Sequence, residues 1–277
     1  MNNKTESSLF FEVKGTQKLP EIGQCIYCGA KEHLTDEHVV PFGLGGRLIL
    51  PKSSCKKCAD ITSSFEMKVL RGFMFEARVA GQYPTRRPKD RPLELDVQLG
   101  TDEKYDLYQL PISEFPGLLQ LPVFEPPGFL AGREATRGVK ICGIETISFG
   151  KNPVDVLKQR GLKSIKQTTD LDATSFARML AKIGYSYAVG IHGLLPFQDV
   201  PVLPLILGES DDGNVWVGSA RYETESERRG ATHALATYKH ISENMPGCQM
   251  IISRIKLFAG SGATGYEVVV YYKDYAI

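Results

Sequence analysis

Two Cys-x-x-Cys pairs, Cys25-Ile-Tyr-Cys28 and Cys55-Lys-Lys-Cys58, restrict this chain more than any other feature. Two intervening residues let both thiolates of a pair reach one tetrahedral ion at about 2.3 Å, and a second pair closes a four-sulfur site. Residues 21–58 carry the cysteines and an apolar, turn-rich stretch with little room for a core, as expected of a small unit tied together by metal. A single pair could equally serve redox chemistry, but the second copy and the lack of a strand-helix-strand context make that the minor alternative. Of six cysteines only Cys142 and Cys248 stand outside the pairs, without regular spacing, which argues against a disulfide framework. The expectation is one structural zinc held by Cys25, Cys28, Cys55 and Cys58.

A length of 277 residues favours about two units. Residues 1–20 read as a lead-in packing on the first domain, 21–82 as the zinc-bearing domain, 83–92 as a basic, proline-punctuated linker, and 93–277 as a larger domain. From Lys56 the apolar residues Ile61, Phe65, Val69 and Phe73 recur at helical spacing, predicting one helix to about Val79. Strands are expected at 93–99, 105–110 and 139–149, with prolines breaking 111–132. A short helix is expected at 153–160 and a longer one from Ala173, capped by Asp172, with Phe176, Met179, Leu180, Ile183 and Tyr187 on its apolar face. Further strands are expected at 202–207 and 214–220, with a hairpin of 250–258 and 267–272 across a glycine-rich turn. The fold class is therefore α+β: a small zinc-stabilised unit, then an α+β domain with a mostly antiparallel sheet and one long helix.

Between the cysteine pairs runs Leu34-Thr35-Asp36-Glu37-His38-Val39-Val40-Pro41-Phe42-Gly43-Leu44-Gly45-Gly46. An acid beside a histidine, two β-branched residues and a proline, all set between two knuckles, resemble the HNH endonuclease family with its ββα-metal fold, in the subgroup with two Cys-x-x-Cys knuckles. The resemblance covers residues 22–70. It implies that His38 is the general base that takes a proton from water, a task suited to an ordinary pKa of about 6.5. It also implies a catalytic divalent ion, Mg2+ or another metal, held by Glu37 with Asp36 as the fallback. The family's middle Asn has no counterpart, and Lys52 and Ser53 are the nearest polar substitutes. Its last ligand falls at Ala59, so Asp60 or Glu66 would have to complete the ion's site.

The net charge of +1 supplies no global field toward nucleic acid, yet residues 52–91 carry ten basic against four acidic side chains. Lys56, Lys57, Arg71, Arg86 and Arg87 are the candidate contacts to a phosphate backbone, with Lys52 or a nearby Arg binding the reacting phosphate. His33 is expected to be exposed, and His192, His233 and His240 to be structural. The expected function is metal-dependent hydrolysis of phosphodiester bonds, DNA ahead of RNA, with phage defence suggested by analogy. The alternative is a cleavage-impaired, zinc-scaffolded module that binds nucleic acid or a protein partner. The C-terminal domain would select targets, dock a partner, regulate the nuclease or form a homo-oligomer. No signal peptide or bilayer-length apolar run is present, so a soluble, cytoplasmic protein without membrane contact is expected.

Overall fold

The computed structural model describes residues 7–12, 15–101, 103–220, 232–241 and 248–274. In chain order the elements are β1 (Ser7–Glu12), β2 (Gln17–Lys18), β3 (Leu34–His38), β4 (Leu48–Cys55), α1 (Lys56–Arg71), α2 (Phe75–Ala80), β5 (Glu94–Gly100), β6 (Tyr105–Pro111), β7 (Pro116–Phe124) and β8 (Ile141–Gly150). They continue with α3 (Pro153–Arg160), β9 (Ser164–Lys166), α4 (Ala173–His192), α5 (Leu203–Leu207), α6 (Gly213–Trp216), β10 (Val217–Ala220), β11 (His233–Ile241), β12 (Cys248–Leu257) and β13 (Gly265–Asp274). The described strands form a five-stranded sheet ordered β1-β11-β12-β13-β10, two three-stranded sheets, β2-β4-β3 and β6-β5-β9, and the β7-β8 pair. All pairings are antiparallel except β2 with β4, so the protein is α+β with mostly antiparallel sheets.

Helix α4 organises the molecule. Asp172 caps it by accepting the Ser175 N–H at 2.8 Å, and most of its length is buried against α1, β12 and β13. Gly184 permits the close approach to the sheet, because a Cβ there would stand 3.1 Å from Val268 Cβ and 3.2 Å from Ser253 Cβ. The largest buried cluster draws on residues 25–77 and 119–271 together, so the cysteine-bearing segment and the α4 sheet share one core. A second cluster, with Val79, Leu95, Val97, Leu99 and Val156, lies under the β6-β5-β9 sheet.

Several elements differ from the sequence expectation for identifiable reasons. The helix after the second knuckle stops at Arg71, since Gly72 turns the chain where a Cβ would fall 2.5 Å from Lys68 O, and α2 follows separately. Residues 203–207 are a short helix rather than a strand, Pro204 standing in its first turn where no N–H is needed. Residues 214–216 are likewise helical, leaving only Val217–Ala220 as strand. Strand β7 runs through Pro116 and Pro122, tolerated because it pairs only with β8. The lead-in divides: β1 extends the C-terminal sheet beside β11, whereas β2 joins β4. Residues 1–6 and 13–14 of that lead-in lie outside the described residues.

Candidate functional site

The first knuckle is a tight turn. The Cys25 N–H donates to Ala30 O at 2.7 Å, the Gly29 N–H returns to Cys25 O at 2.9 Å, and Gly29 supplies the φ of 78° that closes it. The Ile26 N–H donates to Ser53 O at 2.8 Å, which fixes this turn against β4. Cys55 ends β4 and caps α1, and Cys58 lies in the first turn of that helix, where the electropositive end favours thiolates. The four sulfurs lie within 4.8 Å of one another, with Cys28 and Cys55 at 3.6 Å, close to the edge of about 3.8 Å that a 2.3 Å metal–sulfur bond gives a tetrahedron. Burial pushes the Cys25 and Cys58 thiols up, and a second sulfur charge adds to the rise at Cys58. Burial also acts on Cys55, but the Cys58 N–H and the neighbouring thiols outweigh it and leave Cys55 lowered. Four crowded sulfurs of this kind fit a structural metal such as zinc.

The two strands after the first knuckle and the helix beginning at the second form one strand-strand-helix unit. Strand β3 pairs with β4 through Glu37 opposite Leu50 and His38 opposite Ile49, with a register shift between Thr35 and Glu37. That irregularity leaves Asp36 exposed, accepting the Lys52 N–H at 3.1 Å, and turns Glu37 into the core. Lys52 has a φ of 43°, and its ammonium lies 3.0 Å from Glu21 in an exposed pair rather than at a described contact with His38. His38 is half-buried, its ring edge-on to Phe42 with centroids 5.9 Å apart. Burial first, then the cations of Lys182 and Arg86, hold His38 below the usual histidine value, which keeps its imidazole neutral and able to accept a proton near neutrality.

Glu37 and Glu66 converge, and a lysine stands between them. Lys182 Nζ lies 2.6 Å from Glu37 Oε1 and 3.0 Å from Glu66 Oε1, with Lys182 1% exposed. The same ammonium donates to His38 O and, at 3.3 Å, to Val39 O. Burial acts to lower the Lys182 pKa, but the two carboxylates outweigh it and raise it, whereas burial leaves Glu66 raised. Asp60 is exposed and pairs with Lys56 along the helix surface, apart from this cluster. Among the described residues the four cysteines are the one group of three or more potential ligands that comes together, so the sequence candidates Glu37, Asp36, Asp60 and Glu66 do not assemble a second such group.

A cleft of about 720 Å³ runs between the Phe42–Leu44 turn, α1, α2 and the segment 83–92, and Glu66 stands in its wall. Arg71, Arg86, Arg87 and Arg91 line it against Asp90 and Glu66, above an apolar floor that includes Phe42 and Leu70. Arg87 is only 3.9 Å from Asp90, a loose and exposed pair. Arg78 serves the fold instead, donating at 2.7 Å to both Gly43 O and Leu70 O. Lys57 is exposed at the start of α1, beside the Lys56–Asp60 pair.

Side chains far along the sequence support this region, and sequence reading missed them. Lys182 and Tyr185 leave α4 one turn apart, and the Tyr185 hydroxyl donates to Ile26 O at 2.5 Å. A lone lysine inside the apolar run Met179–Val189 was the signal, since an unpaired buried ammonium is prohibitively costly. His233 is fully buried, with Nε2 2.8 Å from Leu44 O and Nδ1 accepting the Phe258 N–H at 3.3 Å. His192 lies 3.4 Å from Thr237 Oγ1, His33 is exposed, and the His240 side chain lies outside the described residues. No helix among the described residues is long and apolar enough to cross a membrane. Comparison with protein-family models, curated proteins and solved structures gave no match.

Proposed function

We propose that this chain is an HNH-type endonuclease that hydrolyses phosphodiester bonds in nucleic acid, with DNA the first candidate, on a scaffold held by a structural zinc. The observation that carries this reading is the setting of His38. A half-buried histidine, held neutral, sits on the first strand of a cysteine-clasped strand-strand-helix unit and packs on Phe42, which lines an arginine-lined cleft. In the reaction, a water oxygen forms the new bond to phosphorus while His38 takes its proton, and the bond to the leaving sugar oxygen breaks, that oxygen being protonated by solvent. Arg71, Arg86 and Arg87 grip the phosphate backbone. A divalent ion, when bound, would stabilise the charge on the phosphate and the leaving oxygen.

A second reading is favoured by Lys182, which already neutralises the carboxylates that such an ion would need. On that reading the protein is a zinc-scaffolded module that binds nucleic acid without cutting it. The two separate in one experiment. Zinc-loaded, desalted protein is incubated with plasmid, single-stranded DNA or RNA, with and without Mg2+ or Mn2+. Cleavage that requires the added ion supports the endonuclease. Salt-sensitive binding with no cleavage under any ion selects the binding module and rejects the endonuclease.

A further inference from the structure

The buried charge cluster joining β3, α1 and α4 has the donor set of a cation site. Two carboxylate oxygens, from Glu37 and Glu66, and two main-chain carbonyls, His38 O and Val39 O, surround the Lys182 ammonium. Hard oxygens of this kind are what Mg2+ or Mn2+ takes. An ion at about 2.1 Å from the carboxylate oxygens would claim the volume the ammonium fills. The lysine cannot easily yield that place. Its neighbours Ala181 and Ile183 are fully buried, and one residue further Gly184 packs tightly against Val268 and Ser253, so rotating α4 would drive backbone into the sheet. Glu66 also lines the open cleft, which gives an ion a route to the seat.

We propose that Lys182 is the resident cation of the Glu37–Glu66 seat, and that this ammonium and a divalent ion exclude one another from it. The proposal deepens the endonuclease reading, on which it rests for the role of the ion: α4, contributed by the C-terminal part of the chain, holds the carboxylates in a metal-free state, and loading the centre through Glu37 requires Lys182 to leave.

Mn2+ is the probe, added to zinc-loaded full-length protein, with free aqueous Mn2+ counted by electron paramagnetic resonance and thermal unfolding followed in parallel. Lys182→Met vacates the seat. It is expected to bind one Mn2+ at least about tenfold more tightly than wild type and to gain melting temperature from it, as any ligand of the folded state confers. Adding Glu37→Gln to that variant should remove both effects. Equal Mn2+ affinity in wild type and folded Lys182→Met, or no binding by either, overturns the proposal. Should Lys182→Met not fold even with Mn2+, the wild type decides. With diamagnetic Mg2+ the 15N-labelled ammonium resonance missing from Lys182→Arg should keep its metal-free shift while Glu37 binds no ion and lose it in step with any binding that Glu37→Gln abolishes, and such binding with the resonance still at its metal-free shift overturns the proposal. None of these readouts is cleavage, so an inactive protein that behaves as expected here sinks the endonuclease reading alone.

Discussion

The cysteine clasp and the His38 centre share one strand-strand-helix unit, but they are completed in opposite ways. All four sulfurs come from residues 25–58, at the end of a strand, in the first turn of a helix and in one tight turn, so the clasp closes on itself. The His38 strand is finished from a distance. Lys182 holds its carbonyls and its neighbouring carboxylate, and His233 holds Leu44 O in the turn that follows. The difference teaches that a metal can fold its own neighbourhood, whereas a buried arrangement of charge needs the whole core to specify it.

The clasp should give the largest effect. Structural zinc couples on the order of 10 kcal/mol of binding free energy to folding, so Cys58→Ser or chelation should strip the metal and expose residues 21–58 to protease. Metal content, melting temperature and cleavage pattern report this together, and a protein without metal but with unchanged stability would break the comparison at its local end. On the distant side, Lys182→Met leaves two carboxylates uncompensated in the core and should cost about 3–5 kcal/mol in the absence of an ion. Adding Glu37→Gln and Glu66→Gln should recover much of that loss in chemical denaturation. Failure to recover would mean that Lys182 contributes by packing rather than by charge.

His233 tests the same distant support through pH. Burial holds it neutral and pushes its pKa down from the ordinary 6.5 to about 4, with the Leu44 carbonyl opposing that shift. Between those values the unfolded chain binds the proton that the folded chain refuses, so its contribution is present above 6.5 and lost as pH falls toward 4, by about 3 kcal/mol in all. Wild type should therefore lose stability over this range more steeply than His233→Gln, in parallel denaturant titrations. Matching slopes would show that the imidazole is not held neutral. Tyr185→Phe removes one buried hydrogen bond and should cost about 1 kcal/mol with metal content unchanged. Smallest in stability is Arg86→Ala with Arg87→Ala, both exposed at the cleft, which should leave the melting temperature alone. Their effect should appear as a drop of about 2 in the salt slope of nucleic-acid binding.

The sequence carried the local half of this comparison. Paired cysteines at chelating spacing, Asp172 as a cap, the amphipathic residues of α1 and α4, and the β12–β13 hairpin are all short-range signals, and they reappear in the fold. What it did not carry is long-range. The helical periodicity after the second knuckle hid the break at Gly72, because conformation there depends on a clash with Lys68 O. Apolar residues 203–207 resemble a strand until Pro204 is read as a helix start. Glu66 was offered, with Asp60, as the carboxylate completing an ion's site at Glu37, and in the fold it meets Lys182. Its partner on α4 lies over a hundred residues further on, and periodicity cannot show which buried charge meets which.

The central claim is that His38 is the base of a nuclease centre, and the most direct test is the cleavage rate of His38→Ala against wild type. Both proteins should be zinc-loaded, matched in metal content and melting temperature, and assayed on the same DNA with the same divalent ion. Loss of a general base predicts a rate about 10²–10⁴-fold lower, with DNA binding retained. Cleavage by His38→Ala at the wild-type rate would contradict the account.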